Sequence, residues 1–436
     1  MRKKLLAAVL SIAMVGTMFT GCGSSKKEDT SADKGGNKEV TLRVFSNLPD
    51  RKNGQGLVEQ MIIDEYMKEN PNVKIKVEAL DEEAYKTKFK AYAMEGMPDV
   101  VSIWGQPSFL DEVLDAGVLA ELNEDDYKDY GFISGSLDGF KKDGKLYGLP
   151  RNTDVNGFYY NKKMFDDNGW KVPTTYDELL ALAKKINDKN IIPVAMDGGD
   201  GWPLAVYLTG VMHKITGTDY SDIITKAIST GDFSDPSISK AVDLMKDAAD
   251  ANLFQKGFES QDYATAQNLF TNGKAAMFFM GSWESSMALN EDIPKEIRDN
   301  IRVFMMPEVK DGKATDKDIL AWNGGGYAIS EKSENKAEAI KFLNYMYQPD
   351  KLSKYGWENG VGMSAQDQTA YMTGKETELL KQFVEIVNGA DSVSGTTIND
   401  RGSSNFKTCI ESEIQGAAKG TTSTSDFLKK IGDACK

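Results

Sequence analysis

From Val40 onward, strand signals and helix signals take turns along the chain, and this alternation limits the fold more than any single motif does. Thr41 to Phe45 reads as a strand, and Leu57, Val58, Met61, Ile62 and Met67 then form a helical stripe that ends before Pro71. Val73, Ile75 and Val77 alternate with lysines, as in a half-exposed strand. Tyr85, Phe89, Tyr92 and Ala93 mark a second helix closed by Gly96, and Asp99 to Ile103 is the next buried strand. A βαβαβ unit of this kind predicts a layered α/β domain. A chain of about 400 residues beyond its N-terminal region exceeds what one core usually supports, so two lobes are expected.

The rest of the chain continues in the same units. Gly139 to Pro150 reads as a turn and a short strand, and Asp154 to Asn161 as an extended segment. Pro173-Thr-Thr175 with Glu178 three residues on is a capping box, opening a helix with the stripe Tyr176, Leu179, Leu180, Ala183 and Ile186. Asp235 followed by Pro236 supplies an N-cap and a proline at the first helical position, with Ile238, Val242, Met245 and Ala249 along one face. Ala339, Ile340, Leu343, Met346 and Tyr347 form a helix stopped by Pro349, and the tail carries two more helices.

The stretch Leu269 to Trp283 is the most informative for function. Gly273 can take the left-handed conformation that ends a helix. Ala275 to Met280 is then a continuous apolar run, as in a strand covered on both faces. Gly281 and Ser282 let the chain turn and leave Trp283 at the carboxyl end of that strand, where open α/β sheets bind ligands. From the residues alone, Trp283 either caps a core or faces a ligand.

The pattern Asn-Gly-Lys-Ala-Ala-Met, three residues, Gly-Ser-Trp at 272–283 resembles the signature of the extracellular solute-binding proteins of ABC transporters, in the carbohydrate-binding group that includes maltose-binding protein. The resemblance extends over residues 40 to 436. It is most specific at 139–185, where the run ends in Tyr-Tyr-Asn-Lys at Tyr159 to Lys162, and at 269–283. It implies a periplasmic-binding-protein-like type II fold, with each lobe a mixed, mostly parallel sheet flanked by helices and the lobes joined by crossing hinge strands. Residues 40–150 and 322–352 would form lobe 1, and 151–321 with 353–436 lobe 2. The glycine-rich run from Trp322 to Ser330 is similar to the family's return crossing into lobe 1.

The N-terminus agrees with export. Arg2, Lys3 and Lys4 precede the apolar run Leu5 to Val15, which is too short to span a bilayer and reads as a signal peptide over residues 1–21. Phe19-Thr-Gly-Cys22 resembles a lipobox, which would place a lipid on the thiol of Cys22; Phe19 departs from the usual Leu, and ordinary secretion is the alternative. Residues 22–39 hold no large apolar cluster and are expected to be a disordered tether. Loss of residues 1–21 removes three cations and no anion from a chain of formal charge −14, leaving about −17. Such acidity excludes a nucleic-acid partner that reads a basic footprint.

Catalytic and metal chemistry find little to stand on. The single histidine, His213, sits on an apolar helix face, and neither a Gly-x-Ser-x-Gly elbow nor a phosphate-binding P-loop occurs. A zinc site lacks ligands, and Asp166 to Gly169 and Asp197 to Gly201 lack the spacing of a calcium loop. No metal and no cofactor is expected. Cys409 and Cys435 lie on two predicted helices and leave two outcomes open, a disulfide or two free thiols.

Binding of a carbohydrate fits better, since a pyranose needs an aromatic platform and planar polar groups around its rim. Trp283 is the first candidate, then Trp202 in its Gly-Asp-Gly loop, Trp322 beside the glycine run, and Trp104 after a strand end. Trp170 reads as core and Trp357 is open. What the resemblance implies for the polar rim falls on Asn47, Asp50 and Arg51 after the first strand, on Gln106, on Asp154 at the first crossing, and on Asn323 and Gly324 at the return. The expected role is a monomeric, lipid-anchored, non-enzymatic receptor on the outer face of the membrane, handing a mono- or oligosaccharide to ABC permease subunits. Rival readings are an exported glycoside hydrolase, the same fold holding a peptide, polyamine or metal complex, and a sensor or adhesin.

Overall fold

Thirteen strands and the helices between them are laid out in the order the alternation predicts. The computed structural model describes residues 39–436; the signal peptide, Cys22 and the tether up to Lys38 lie outside the described residues. The strands are β1 (Val40–Ser46), β2 (Val73–Ala79), β3 (Val100–Trp104), β4 (Lys141–Lys142), β5 (Lys145–Leu146), β6 (Leu149–Pro150), β7 (Thr153–Asn161), β8 (Ile192–Ala195), β9 (Ala275–Gly281), β10 (Ile301–Phe304), β11 (Asp318–Asn323), β12 (Gly325–Ile329) and β13 (Ser392–Ser394). One sheet has the order β2-β1-β3-β12-β6. The other has the order β13-β11-β7-β9-β8, with β10 paired to β7, and β4 and β5 form a separate hairpin.

Both sheets are mixed, with parallel and antiparallel pairs in each. β1 is parallel to β2 and β3, β8 to β9, and β11 to β13. β12 is antiparallel to β3 and β6, and β7 to β9, β10 and β11. The cause is directional. Strands of βα units point their carboxyl ends at the space between the lobes, whereas β7 and β12 enter from that space and run away from it. A strand that enters from the crossing must therefore oppose its neighbours.

The local signals explain where the elements start. Thr175 caps the helix Tyr176–Asn187, its hydroxyl accepting from Glu178 N at 3.2 Å while the Glu178 carboxylate accepts from Thr174 N at 2.9 Å. Such a cap contributes about 1 kcal/mol. Along that helix Leu182, not Leu180, completes the fully buried stripe with Leu179, Ala183 and Ile186. Asp235 caps the helix Pro236–Asp250 through Ser237 N at 2.9 Å.

Three buried apolar clusters result. The first lobe packs Phe45, Tyr85, Ile103, Phe140 and Tyr327 between its sheet and helices; the second packs Phe158, Tyr207, Val211, Phe279 and Phe406 in one cluster and Tyr159, Phe270, Phe278 and Phe383 in another. Each such side chain stabilises the fold by about 1.5–3 kcal/mol. His213 is buried in the second lobe on the helix Trp202–Thr216, where burial pushes its imidazole down to about 4. Trp170 packs at the edge of the same core, 5.8 Å from Phe165, and Trp357 is buried and donates to Glu376.

The chain crosses between sheets at 151–152 and at Gly324, which lie side by side: Gly324 N donates to Asn152 O at 2.8 Å and Arg151 N to Gly325 O at 2.8 Å. A third strand of chain joins them, with Thr153 N donating to Met363 O at 2.7 Å. The placement of 353–368 differs from expectation. Leu352 and Val361 sit in the first core, and Gln366 bonds to the main chain at Tyr130 and Tyr347, so this segment stays with the first lobe. Its apolar residues find their partners there before the chain returns.

Cys409 and Cys435 are free thiols, each sulfur donating to a main-chain carbonyl, Lys430 O and Ile431 O respectively. No helix among the described residues is long and apolar enough to cross a membrane.

Candidate functional site

A cavity of about 1000 Å³ opens between the carboxyl ends of β1 and β3 on one side and of β9 on the other. Eight of the eleven binding residues expected from sequence line it: Asn47, Asp50, Trp104, Gln106, Asp154, Trp202, Trp283 and Trp322. Arg51, Asn323 and Gly324 do not. Arg51 is drawn away by Glu59, a fully buried carboxylate on the helix Gly54–Glu69, with which it makes a 3.2 Å ion pair. Leaving that charge without a cation would cost several kcal/mol. Asn323 is spent on structure: its carbonyl accepts from Gln106 Nε2 at 2.8 Å, and its amide donates to Ser136 O at 2.7 Å.

Gly324 serves by being small. A Cβ there would lie 2.1 Å from Asp154 Oδ2 and 2.5 Å from Asn152 Nδ2, and one on Gly325 would lie 2.7 Å from an Arg151 nitrogen. The glycine run thus lets the return crossing pass against the polar floor of the cavity. Asp154 and Arg151 form that floor. Asp154 accepts from Asn152, and burial pushes its carboxyl up to about 7 against the pull of Arg151 and Asn152. Arg151 is buried and stands 5.4 Å over the ring of Tyr327.

The second lobe supplies an aromatic wall. A Cβ on Gly281 would stand 1.9 Å from the Trp283 ring, so the indole folds back over its own strand end only because residue 281 is glycine. The Trp283 Nε1–H donates to Tyr263 OH at 2.8 Å, Tyr263 OH donates to Glu284, and Gln267 donates to the other Glu284 oxygen at 2.8 Å. Burial raises the Glu284 carboxyl even so. Trp202 stands with its ring centre 5.9 Å from Trp283 and 6.2 Å from Tyr263. It is delivered by Gly201, whose φ of +77° and close approach to Glu411 O both require glycine. Half-buried rings tethered through their polar edges keep an apolar face available to a ligand.

The first lobe adds Trp104, held edge-on by Phe109 at 5.1 Å with the Lys86 ammonium 5.5 Å from its ring. Asn47 Oδ1 is buried and has no protein partner. At one rim the lobes touch through charge: Ser108 Oγ donates to Asp400 Oδ1 at 2.8 Å, and Lys407 pairs with both Asp400 and Glu411. Burial works against ionisation of Asp400, but the Lys407 charge, the hydrogen bonds from Lys407 and Ser108 and the Lys86 charge together hold its carboxyl below its ordinary value.

Sequence reasoning did not find Arg151, Tyr263, Glu284, Ser108, Asp400 or Lys407. Arg151 had a signal, since it opens the crossing already recognised at 139–161. The others occupy ordinary helical or turn positions and carry none. Among the described residues no group of three or more His, Cys, Asp or Glu side chains could hold a metal ion.

The family model described as bacterial extracellular solute-binding protein matches residues 51–351. The multiple sugar-binding protein of Streptococcus mutans is 28% identical over 354 residues, 79% of this chain and 78% of that protein. Among solved structures, one from work on xylan utilization by the thermophilic bacterium Caldanaerobius polysaccharolyticus superposes with a TM-score of 0.82 at 24% identity, covering 90% of this chain and 99% of that one. A chitin oligosaccharide binding protein superposes with a TM-score of 0.79 at 23% identity, covering 92% and 98%. The two-lobed α/β fold is shared with both.

Proposed function

The chain belongs to the bacterial extracellular solute-binding protein family, and from that premise we propose that it is the saccharide receptor of an ABC importer. The observation that carries this reading is the tethered wall of Trp202, Tyr263 and Trp283 facing Asn47, Gln106 and Asp154 across one cavity. Stacking rings would take the C–H face of a pyranose, and the amide and carboxyl groups would take its hydroxyls. A volume near 1000 Å³ lies at the top of the range of about 300–1,000 Å³ usual for small-molecule sites, which favours an oligosaccharide over a single ring. The names of the relatives point the same way.

Ligand would select the closed arrangement, because only there do both lobes contact it at once. The closed receptor, acting as a monomer, then docks on permease subunits, and no bond is made or broken in this chain. Cys22 would carry the lipid that keeps it at the outer face of the membrane. A Cys22→Ser variant released into the medium would support the anchor; one retained on membranes would remove it.

A thermal-shift screen against mono- and oligosaccharides, peptides and polyamines tests the ligand class. Ligand at 100 times its dissociation constant adds about 2.7 kcal/mol, a shift of a few degrees. A response to saccharides alone supports the proposal, and a response to peptides or polyamines alone ends it. Release of product from chromogenic glycosides would make the protein a hydrolase instead.

A further inference from the structure

The cavity is charged in one sense. Eleven of the side chains lining it are carboxyls and four are cations. Three of the cations are already committed: Lys86 to Glu82 and Glu83, Lys407 to Asp400 and Glu411, and Arg151 to the floor beside Asp154. Lys90, exposed at the rim, is the remaining one and has no ion pair among the described residues.

Arg151 is the one cation at the floor, and two of its nitrogens have no protein partner. It also borders a separate space of about 20 Å³, lined by Asn152, Ser364 and Gln368. A water needs roughly 10–15 Å³ of such space, so this one has room for a water and is too small for a carboxylate or phosphate. Arg151 thus borders both spaces, and in the main cavity it is outnumbered by the carboxyls around it. A charged group entering the main cavity meets an excess of negative charge that low-dielectric walls reinforce.

Resting on the reading of the cavity as a saccharide site, we infer that it discriminates by charge, accepting uncharged saccharides and rejecting those that carry carboxylate, sulfate or phosphate. The aromatic wall sets what is bound, and the carboxyl excess sets what is refused. The reaction that supplies this ligand must therefore deliver chains free of uronate or already stripped of it.

The test uses the purified full chain and matched pairs of oligosaccharides, each a neutral chain and the same chain bearing one uronate, followed by calorimetry. The uronate form should bind at least about tenfold more weakly, and raising salt from ~20 to ~500 mM should narrow the gap while leaving the neutral ligand unmoved, because salt screens the charge–charge repulsion that only the uronate form meets. The double variant Glu83→Gln, Glu112→Gln, which removes two rim charges, should narrow it too. Equal binding of both forms, or a gap indifferent to salt and to the variant, overturns the charge filter while the saccharide site stands. Binding of neither form in any pair overturns the saccharide reading and the filter together.

Discussion

A Cβ on Gly324 would stand 2.1 Å from Oδ2 of Asp154, so the return crossing can run against the cavity floor only as glycine. The two residues are 170 positions apart and come from different crossings, yet each constrains the other. Gly324→Ala should destabilise the fold by about 1–3 kcal/mol through overpacking and push the Asp154 carboxylate out of place. Urea unfolding measures the first effect and saccharide titration the second. Unchanged values of both would mean that the crossings have more room than the structure gives them.

Trp283→Ala should lower saccharide affinity by about thirtyfold or more, as for a central aromatic anchor, and leave the protein folded. Tyr263→Phe should have a smaller effect, several-fold, because it removes only the 2.8 Å hydrogen bond that orients the indole. A Trp283→Ala protein with full affinity would sink the stacking role.

Between its ordinary value of 3.8 and about 7, the Asp154 carboxyl is protonated in the native state and ionised in the unfolded one. The native state binds more protons in that window, so stability falls as pH rises through it and levels off above. Asp197, pushed up to about 9 mainly by burial, acts with the same sign over a wider range. Comparing urea midpoints at about pH 5 and pH 8, Asp154→Asn should show a shallower decline than wild type. Parallel declines would place the Asp154 pKa at an ordinary value.

Lys407 bridges Asp400 and Glu411 where the lobes meet beside Ser108. Lys407→Met leaves Asp400 and Glu411 of the second lobe facing one another without their cation, which should displace the Asp400 carboxylate from Ser108 and so favour separation of the lobes. Small-angle scattering should then give a larger radius of gyration without ligand, and saccharide binding should weaken. A radius identical to wild type would assign the cluster to the second lobe's own stability.

The path of the chain was largely legible before the structure. The βαβαβ opening, the capping box at Thr175 and Glu178, the Asp235 cap and the buried strand before Trp283 all stand where the pattern placed them. Each is a local matter of periodicity, capping or backbone freedom. Where the pattern failed, a neighbour distant in sequence decided. Segment 353–368 stays with the first lobe because Tyr130 and Tyr347 hold Gln366.

The site divides in the same way. The buried run closed by Gly281 and Ser282 placed Trp283 at a strand end from sequence alone, whereas the crossing at Asp154 was implied by the family resemblance. Only the tertiary structure decided that Arg51 would turn to Glu59, that Tyr263 would hold the indole, and that Asp400 would reach Ser108 of the opposite lobe. Charge compensation and desolvation depend on what surrounds a group in space, and those surroundings come from positions 8 residues away, as for Arg51 and Glu59, to 292 away, as for Ser108 and Asp400.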